Sequence, residues 1–136
     1  MSKLYKKTLF IILIISLMLY VIISAYYIMV YNGTIRSIDT DFSMNIGNAA
    51  MGFDGTHGKS IAALNHMNRA VSLARHTSYE MHEVSDISLI ASIMETKILQ
   101  NGHLPEDKSI GKLFKELSKD PTSLEITSKI IKKLRS

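Results

Sequence analysis

Residues 9–31 form an uninterrupted apolar stretch that contains no charged residue, proline or glycine. As a helix rising about 1.5 Å per residue, such a stretch extends about 34 Å, enough to cross a hydrocarbon layer of about 30 Å. Fourteen of its residues are Leu, Ile, Val or Phe. Each of these contributes about 0.3–0.6 kcal/mol of favourable insertion near the helix centre. The stretch therefore predicts a transmembrane anchor.

The charges on either side of the apolar stretch predict its orientation. Lys3, Lys6 and Lys7 precede it, whereas only Arg36 follows it closely. Because basic residues favour the cytoplasmic side, the sequence predicts a single-pass inner-membrane protein with a cytoplasmic N-terminus and a periplasmic or extracytoplasmic domain. A cleaved signal peptide ending at Ala25 is the alternative, but signal-peptide apolar regions typically run about 7–15 residues, so the longer stretch favours an uncleaved anchor.

The remaining chain has room for one small domain, which we predict to be all-α with about four or five helices. We divide the chain into a cytoplasmic basic flank (1–8), the anchor (9–31), a juxtamembrane helix with a glycine-rich loop (32–58) and a helical domain (59–136). The formal net charge of +4 arises mostly from the N-terminal flank and the C-terminal tail. The C-terminal third has Phe114 as its one aromatic residue, which argues against nucleic-acid binding.

Hydroxyl-bearing side chains recur along one side of the anchor. At about 100° per residue, five of them fall within an arc of about 80°: Ser16, Tyr20, Ser24, Tyr27 and Tyr31. Small and polar side chains favour contact between membrane helices, so we predict that this transmembrane seam binds a partner. The alternative is that Tyr26, Tyr27 and Tyr31 form an ordinary interfacial aromatic belt and the serines are incidental.

The same spacing continues beyond the anchor in steps of four, four and three. The apolar residues that continue it are Ile35, Ile38, Phe42, Ile46, Ala49 and Phe53. An eleven-residue period is close to that of a straight helix. We therefore predict an outer partner-binding seam at Ile35, Ile38, Phe42 and Ile46. Because Gly33 weakens a helix, a hinge at residues 32–34 is the alternative to one continuous helix.

Further helices are predicted downstream by apolar spacing and by capping residues. The first outer helix should end near Met51, before the glycine-rich loop, and Ser60 should help to begin the next. Two helices or one long bent helix should follow, the last part carrying a stripe that closes at Asn101-Gly102; the stripe is Ile87, Ile90, Met94 and Ile98. We interpret Met67, Met81 and Met94 as core residues.

Two shorter helices are predicted at the C-terminal end. Residues 105–107 suit the first turn of the earlier one, which presents Ile110, Leu113, Phe114 and Leu117 on one face. Asp120-Pro121 should cap the final helix. The final helix should bury Leu124, Thr127, Ile131 and Leu134.

The sequence gives no support for catalysis or metal binding. The chain has no cysteine. Residues 82–86 resemble a zinc-protease motif until Asp86, which stands where the second histidine should be. Residues 58–60 match the end of a phosphate-binding loop, but Phe53 occupies the position of its first glycine. We predict no enzyme activity, cofactor or metal.

These observations predict an accessory protein that binds and stabilises another membrane protein, for example a regulator or an assembly complex, through its transmembrane helix and its outer domain. The partner should be single-pass, or a second copy of the chain. Two alternatives remain: a sensory domain that binds a small apolar ligand between its helices, and a homo-oligomeric structural subunit.

Overall fold

The computed structural model describes residues 3–136, with side chains from Tyr5 onward. Met1, Ser2 and the side chain of Lys3, at the start of the predicted basic flank, lie outside the described part. Within residues 3–136 the regular structure is helical, as predicted. It comprises α1 (Lys3–Asn48), a 3₁₀ helix (Ala49–Gly52), α2 (His57–Ala74), α3 (Met81–Val84), α4 (Asp86–Asn101), α5 (Lys108–Leu117) and α6 (Leu124–Arg135).

The first helix contains the whole predicted anchor and is long and apolar enough to span a membrane. Its apolar stretch is not buried within the structure. Residues 32–34 are helical, so α1 is continuous there and has no hinge. The Thr34 Oγ1 hydroxyl donates to the carbonyl oxygen of Val30 at 3.0 Å, a side-chain bond that is compatible with the helix.

The chain divides into two units, the first ending at Thr34 and the second comprising Ile35–Ser136. We call the second unit the head. It begins at Ile35, so residues 35–58, which the sequence assigned to a separate juxtamembrane segment, pack with the later helices. The first outer helix ends at Asn48 and continues as the 3₁₀ turn to Gly52, which agrees with the expected end near Met51.

One apolar core holds the head together, and every helix of the head contributes to it. Its largest fully buried side chains are Phe42, Ile46, Met67, Ile87, Ile90, Met94, Leu104, Ile110, Phe114, Leu117, Ile130 and Leu134. The rings of Phe53 and Phe114 stack with their centroids 5.3 Å apart. Burial of such side chains contributes about 1.5–3 kcal/mol each before the loss of chain entropy.

The predicted stripe on α4 is confirmed, since all four of its members are buried. Gly102 ends this helix at a φ of 79°, in the left-handed region that glycine adopts without strain. Met67 and Met94 are core residues as predicted. Met81 is not, because 55% of its surface is exposed at the beginning of α3.

The Ser60 hydroxyl connects three segments of the head rather than beginning a helix. Helix α2 starts three residues earlier, at His57. Ser60 Oγ lies 2.9 Å from the carbonyl oxygen of Thr56 and 3.3 Å from that of Gly52. It accepts a hydrogen bond from the backbone N–H of Leu104 at 2.9 Å. Because Ser60 is fully buried, these contacts satisfy groups that would otherwise be buried without a partner.

The two C-terminal helices begin later than the sequence predicted. Asp107 is the N-cap of α5 and accepts from the N–H of Ser109 at 2.8 Å. The N-cap of α6 is Ser123 rather than Asp120. Asp120 instead accepts from the Thr122 hydroxyl at 2.8 Å.

The later start also corrects the buried face of α6. Thr127 and Leu134 are buried as predicted, but the third buried residue is Ile130, and Ile131 is half-buried. Leu124 remains 53% exposed.

The carboxylate of Asp54, in the loop before α2, has a lowered pKa. It forms an ion pair with Lys59 and accepts from the N–H and hydroxyl of Thr56 at 3.1 and 2.8 Å. These bonds, that of Lys59 foremost, lower the pKa of Asp54 from 3.8 to about 2. Since the folded state favours the charged form, its contribution to stability is complete above the unfolded pKa and is lost as the pH falls through about 2.

We therefore expect an NMR titration of the Asp54 carboxyl to show a midpoint near 2. Lys59→Ala should raise this midpoint more than Thr56→Ala does, because Lys59 makes the largest contribution. A Lys59→Ala variant that titrates like the parent chain would contradict the assignment of the ion pair.

Candidate partner-binding surfaces

The five residues of the predicted transmembrane seam lie on one uninterrupted helix. The structure confirms their helical register, which gathers them on one face within residues 9–31. Tyr20, Tyr27 and Tyr31 are 70%, 68% and 66% exposed. The tyrosines therefore project from the helix and leave their hydroxyl groups available to another molecule. Ser16 is exposed and Ser24 half-buried against its own helix.

An ordinary aromatic belt remains the alternative for the tyrosines at the end of the seam. The rings of Tyr26 and Tyr27 contact edge to face, with centroids 6.2 Å apart and planes at 72°. Tyr26 points away from the seam by its helical position, so this pair covers more than one side of the helix. Ser24 and Ser16 distinguish the seam from a belt, because they lie about one and three turns before Tyr27, respectively.

Two of the four residues of the outer seam are buried in the structure, whereas the sequence predicted that they bind a partner. Phe42 and Ile46 are fully buried in the core of the head, and the Phe42 ring lies 5.8 Å from that of Tyr79. Their side chains therefore have no surface to offer a partner while the head is folded. Ile35 and Ile38 are half-buried. The eleven-residue apolar spacing beyond the anchor thus serves the interior of the head at Phe42 and Ile46.

The surface that α1 exposes in the head is polar, with Met44 at its centre. Met44 is 54% exposed and lies between two open clefts of about 520 and 420 Å³. Arg36 and Tyr79 line the first cleft, and His66 and Arg69 line the second. This surface, which the sequence analysis did not single out, is what α1 of the head can present to another protein.

A carboxylate on α1 fixes the turn between α2 and α3. Asp39 accepts from the N–H of Ser78 at 2.8 Å and from its hydroxyl at 2.6 Å. Glu80 and Glu83 then form a reciprocal capping box that begins α3. Glu80 is not one of the residues that typically begin a capping box, so this helix start had no clear sequence signal, and neither did the contact across 39 residues.

The second cleft contains a polar chain that joins α1 to α2. The Asn45 side chain is buried and its Nδ2 donates to the carbonyl oxygen of Asp41 at 2.8 Å. Its Oδ1 lies 2.9 Å from Nδ1 of His66. With Nδ1 as the donor, both polar atoms of Asn45 are satisfied. The His66 ring is therefore a polar contact between α2 and α1.

The described residues do not assemble a metal centre or a phosphate-binding loop. Among residues 3–136, the side chains of His, Asp and Glu nowhere form a group of three that could hold an ion. His82 lies 3.2 Å from Glu80, while Asp86 contacts the Thr127 hydroxyl at 3.5 Å. Lys59 pairs with Asp54 instead of facing an open loop.

One mostly apolar cavity between helices is too small for a typical ligand. It lies beneath α3, has a volume of about 140 Å³ and is lined by Val71, Met81, Val84 and Ile87. Pockets for small-molecule ligands usually measure about 300–1,000 Å³. A ligand of that size would require the four-residue helix α3 to move.

Comparison of the chain with protein-family models, with curated proteins and with solved structures finds no match.

Proposed function

We propose that this protein is a single-pass membrane-anchored accessory protein that binds and stabilises another membrane protein. The observation that carries the proposal is the apolar helix at residues 9–31, which is unburied along its length and carries its serines on one face. Soluble proteins rarely expose an apolar patch larger than a few hundred Å². A bilayer is the environment that accommodates such a surface, and a second helix is the partner that its hydroxyl groups suit.

Helix association within a bilayer depends on packing and hydrogen bonds, because lipid chains are as apolar as leucine. A hydroxyl group that faces hydrocarbon can bond only to carbonyl oxygens of its own helix, whereas one that faces a neighbouring helix can gain a contact worth about 0.6–2 kcal/mol. Ser16, Tyr20 and Ser24 lie successive turns apart on the helix. Together they offer a row of contacts that favours one orientation of the bound helix.

The proposal includes the topology predicted from charge. Lys6 and Lys7, together with Lys3, mark the cytoplasmic side, and the head lies on the opposite side of the inner membrane. In the head, the exposed surface around Met44 takes the role that the sequence gave to Phe42 and Ile46. In this proposal the partner makes its main contact within the bilayer and an additional contact with the head.

The test replaces the hydroxyl-bearing residues of the seam. The triple variant Ser16→Leu, Tyr20→Leu and Ser24→Leu keeps the helix apolar but removes its polar contacts. With a photo-crosslinking residue at Tyr27, we expect capture of the partner in native membranes to fall by at least about tenfold, equivalent to about 1.4 kcal/mol. Mass spectrometry of the captured adducts gives the measurement.

A matched control places leucine on the opposite side of the same helix. The variant Ile15→Leu, Ile22→Leu and Met29→Leu alters packing without removing hydroxyl groups and should leave capture unchanged. Equal capture from both variants would contradict partner binding through the seam. Adducts that contain only a second copy of the chain would support the homo-oligomeric alternative instead.

A further inference from the structure

The groove between α5 and α6 combines a cationic rim with an apolar floor. Its volume is about 530 Å³. Lys112, Leu113 and Glu116 line it from α5, and Lys129, Lys132 and Lys133 line it from α6. Asp107 at the start of α5 lies 3.4 Å from Lys133 near the end of α6, so the two helices run antiparallel. The basic side chains therefore face each other across the groove.

Two of the four ammonium groups are already paired with carboxylates. Lys129 contacts Glu125 at 2.5 Å, which raises the pKa of Lys129, and Lys133 contacts Asp107. Lys112 and Lys132 form no ion pair with any residue in the described part of the chain. Glu116 is the one acidic residue of the lining. The groove therefore keeps one unpaired cation on each wall.

The floor of the groove is apolar and recessed. Leu113 is half-buried, while the aliphatic stems of the lysines form the walls and their charged ends lie at the rim. An occupant that fits must insert an apolar side chain toward Leu113 and place carboxylates near Lys112 and Lys132. Surfaces that insert into a bilayer instead project large apolar side chains outward, so a recessed floor favours a protein segment over a lipid surface.

We propose that this groove binds an acidic amphipathic helix of the partner membrane protein. The identity of the partner rests on the function proposed above. Helix α5 has 10 residues, which corresponds to about 15 Å at 1.5 Å per residue. That length accommodates about three turns of a bound helix, with leucine-like residues on one side and glutamate or aspartate on its flanks.

The test measures binding of a defined peptide to the full chain in nanodiscs of neutral lipid. The probe is a fluorescent helical peptide of about four turns with leucine on one face and glutamate on the other. We expect Lys112→Glu with Lys132→Glu to weaken its binding by at least about tenfold, and added salt to weaken binding to the parent chain. A peptide with lysine in place of glutamate should not bind.

The matched control is Lys115→Glu with Lys119→Glu, which makes the same change of charge outside the groove. It should weaken binding by less than about threefold, since exposed distant charges are screened. Equal weakening by both pairs would show nonspecific attraction and overturn the proposal. So would the absence of peptide binding, or groove-dependent flotation with phosphatidylglycerol vesicles in its place.

Failure of this test is separable from failure of the proposed function. The peptide assay requires no transmembrane contact, whereas crosslinking from Tyr27 requires no contact with the head. A chain that captures its partner through the seam but does not bind the acidic peptide would support the proposed function and contradict the proposal that the groove binds a helix.

Discussion

Phe42→Ala is expected to destabilise the head by about 3–5 kcal/mol, because it removes a fully buried ring and leaves a cavity. Phe42 has no exposed surface and packs beside Tyr79, which lies next to the turn held by Asp39. Hydrogen exchange of the full chain in detergent, followed by mass spectrometry, gives the measurement. The protected amides of α2 and α4 should lose protection together, because one core connects both helices.

Met44→Ala is the matched control on the same helix. Met44 is 54% exposed, so its truncation should change stability by no more than about 0.5 kcal/mol. The comparison also separates the two roles considered for Phe42. A partner-facing Phe42 would leave exchange unchanged and weaken crosslinking, a result that would contradict the buried position.

Gly52→Ala is expected to destabilise the head by about 2–3 kcal/mol through overpacking. A Cβ atom at Gly52 would lie 2.4 Å from Cβ of Ala63 and 2.9 Å from Cδ1 of Leu104. The Ala63 Cβ is fixed to the backbone of α2 and cannot rotate away. Relief therefore requires the loop to separate from α2, which would also strain the contacts of Ser60. The same exchange experiment measures the loss.

Two further variants test the steric origin of this effect. Gly58→Ala places a methyl group where nothing lies within 4 Å. It should leave the head within about 1 kcal/mol of the parent, on the stabilising side. Ala63→Gly removes the opposing methyl group and should recover part of the loss when combined with Gly52→Ala. If the two changes are simply additive, the close contact is not the cause.

Helices with a strong local signal were the most predictable part of this fold. The α4 stripe and its end at Gly102 follow from apolar spacing and from one glycine, and both are found where expected. The long apolar helix was equally clear, because the length and apolarity that make it able to span a membrane are properties of its own residues. In each case the residues that determine the element lie within it.

The sequence left alternatives open, or predicted the wrong one, where distant contacts decided the structure. The break at residues 75–80 contains neither glycine nor proline, and Asp39 holds it from another helix. At α6, Asp120-Pro121 matched a cap pattern, but Ser123 begins the helix, and the shift brings Ile130 rather than Ile131 into the core. Local propensity could not distinguish these alternatives, because each is compatible with its own neighbours.

The candidate surfaces were predictable only in part for the same reason. Periodicity located the face of α1 that bears Phe42 and Ile46, but it could not say whether a partner or the chain itself covers that face. Similarly, Lys112 and Lys132 are ordinary exposed lysines in the sequence. Only the antiparallel packing of α5 and α6 places them across a groove.

The shared core of α1 and α6 has a consequence for biogenesis. Phe42 belongs to the same buried cluster as Ile130 and Leu134, which the ribosome makes more than 80 residues later. The head of a nascent chain therefore cannot complete its core until the 12-residue helix α6 has left the ribosome, and until then Phe42 is exposed to chaperones and proteases. Equally, a soluble fragment intended for expression has to begin upstream of Phe42, because a fragment that starts at residue 59 would lack the core residues that α1 supplies.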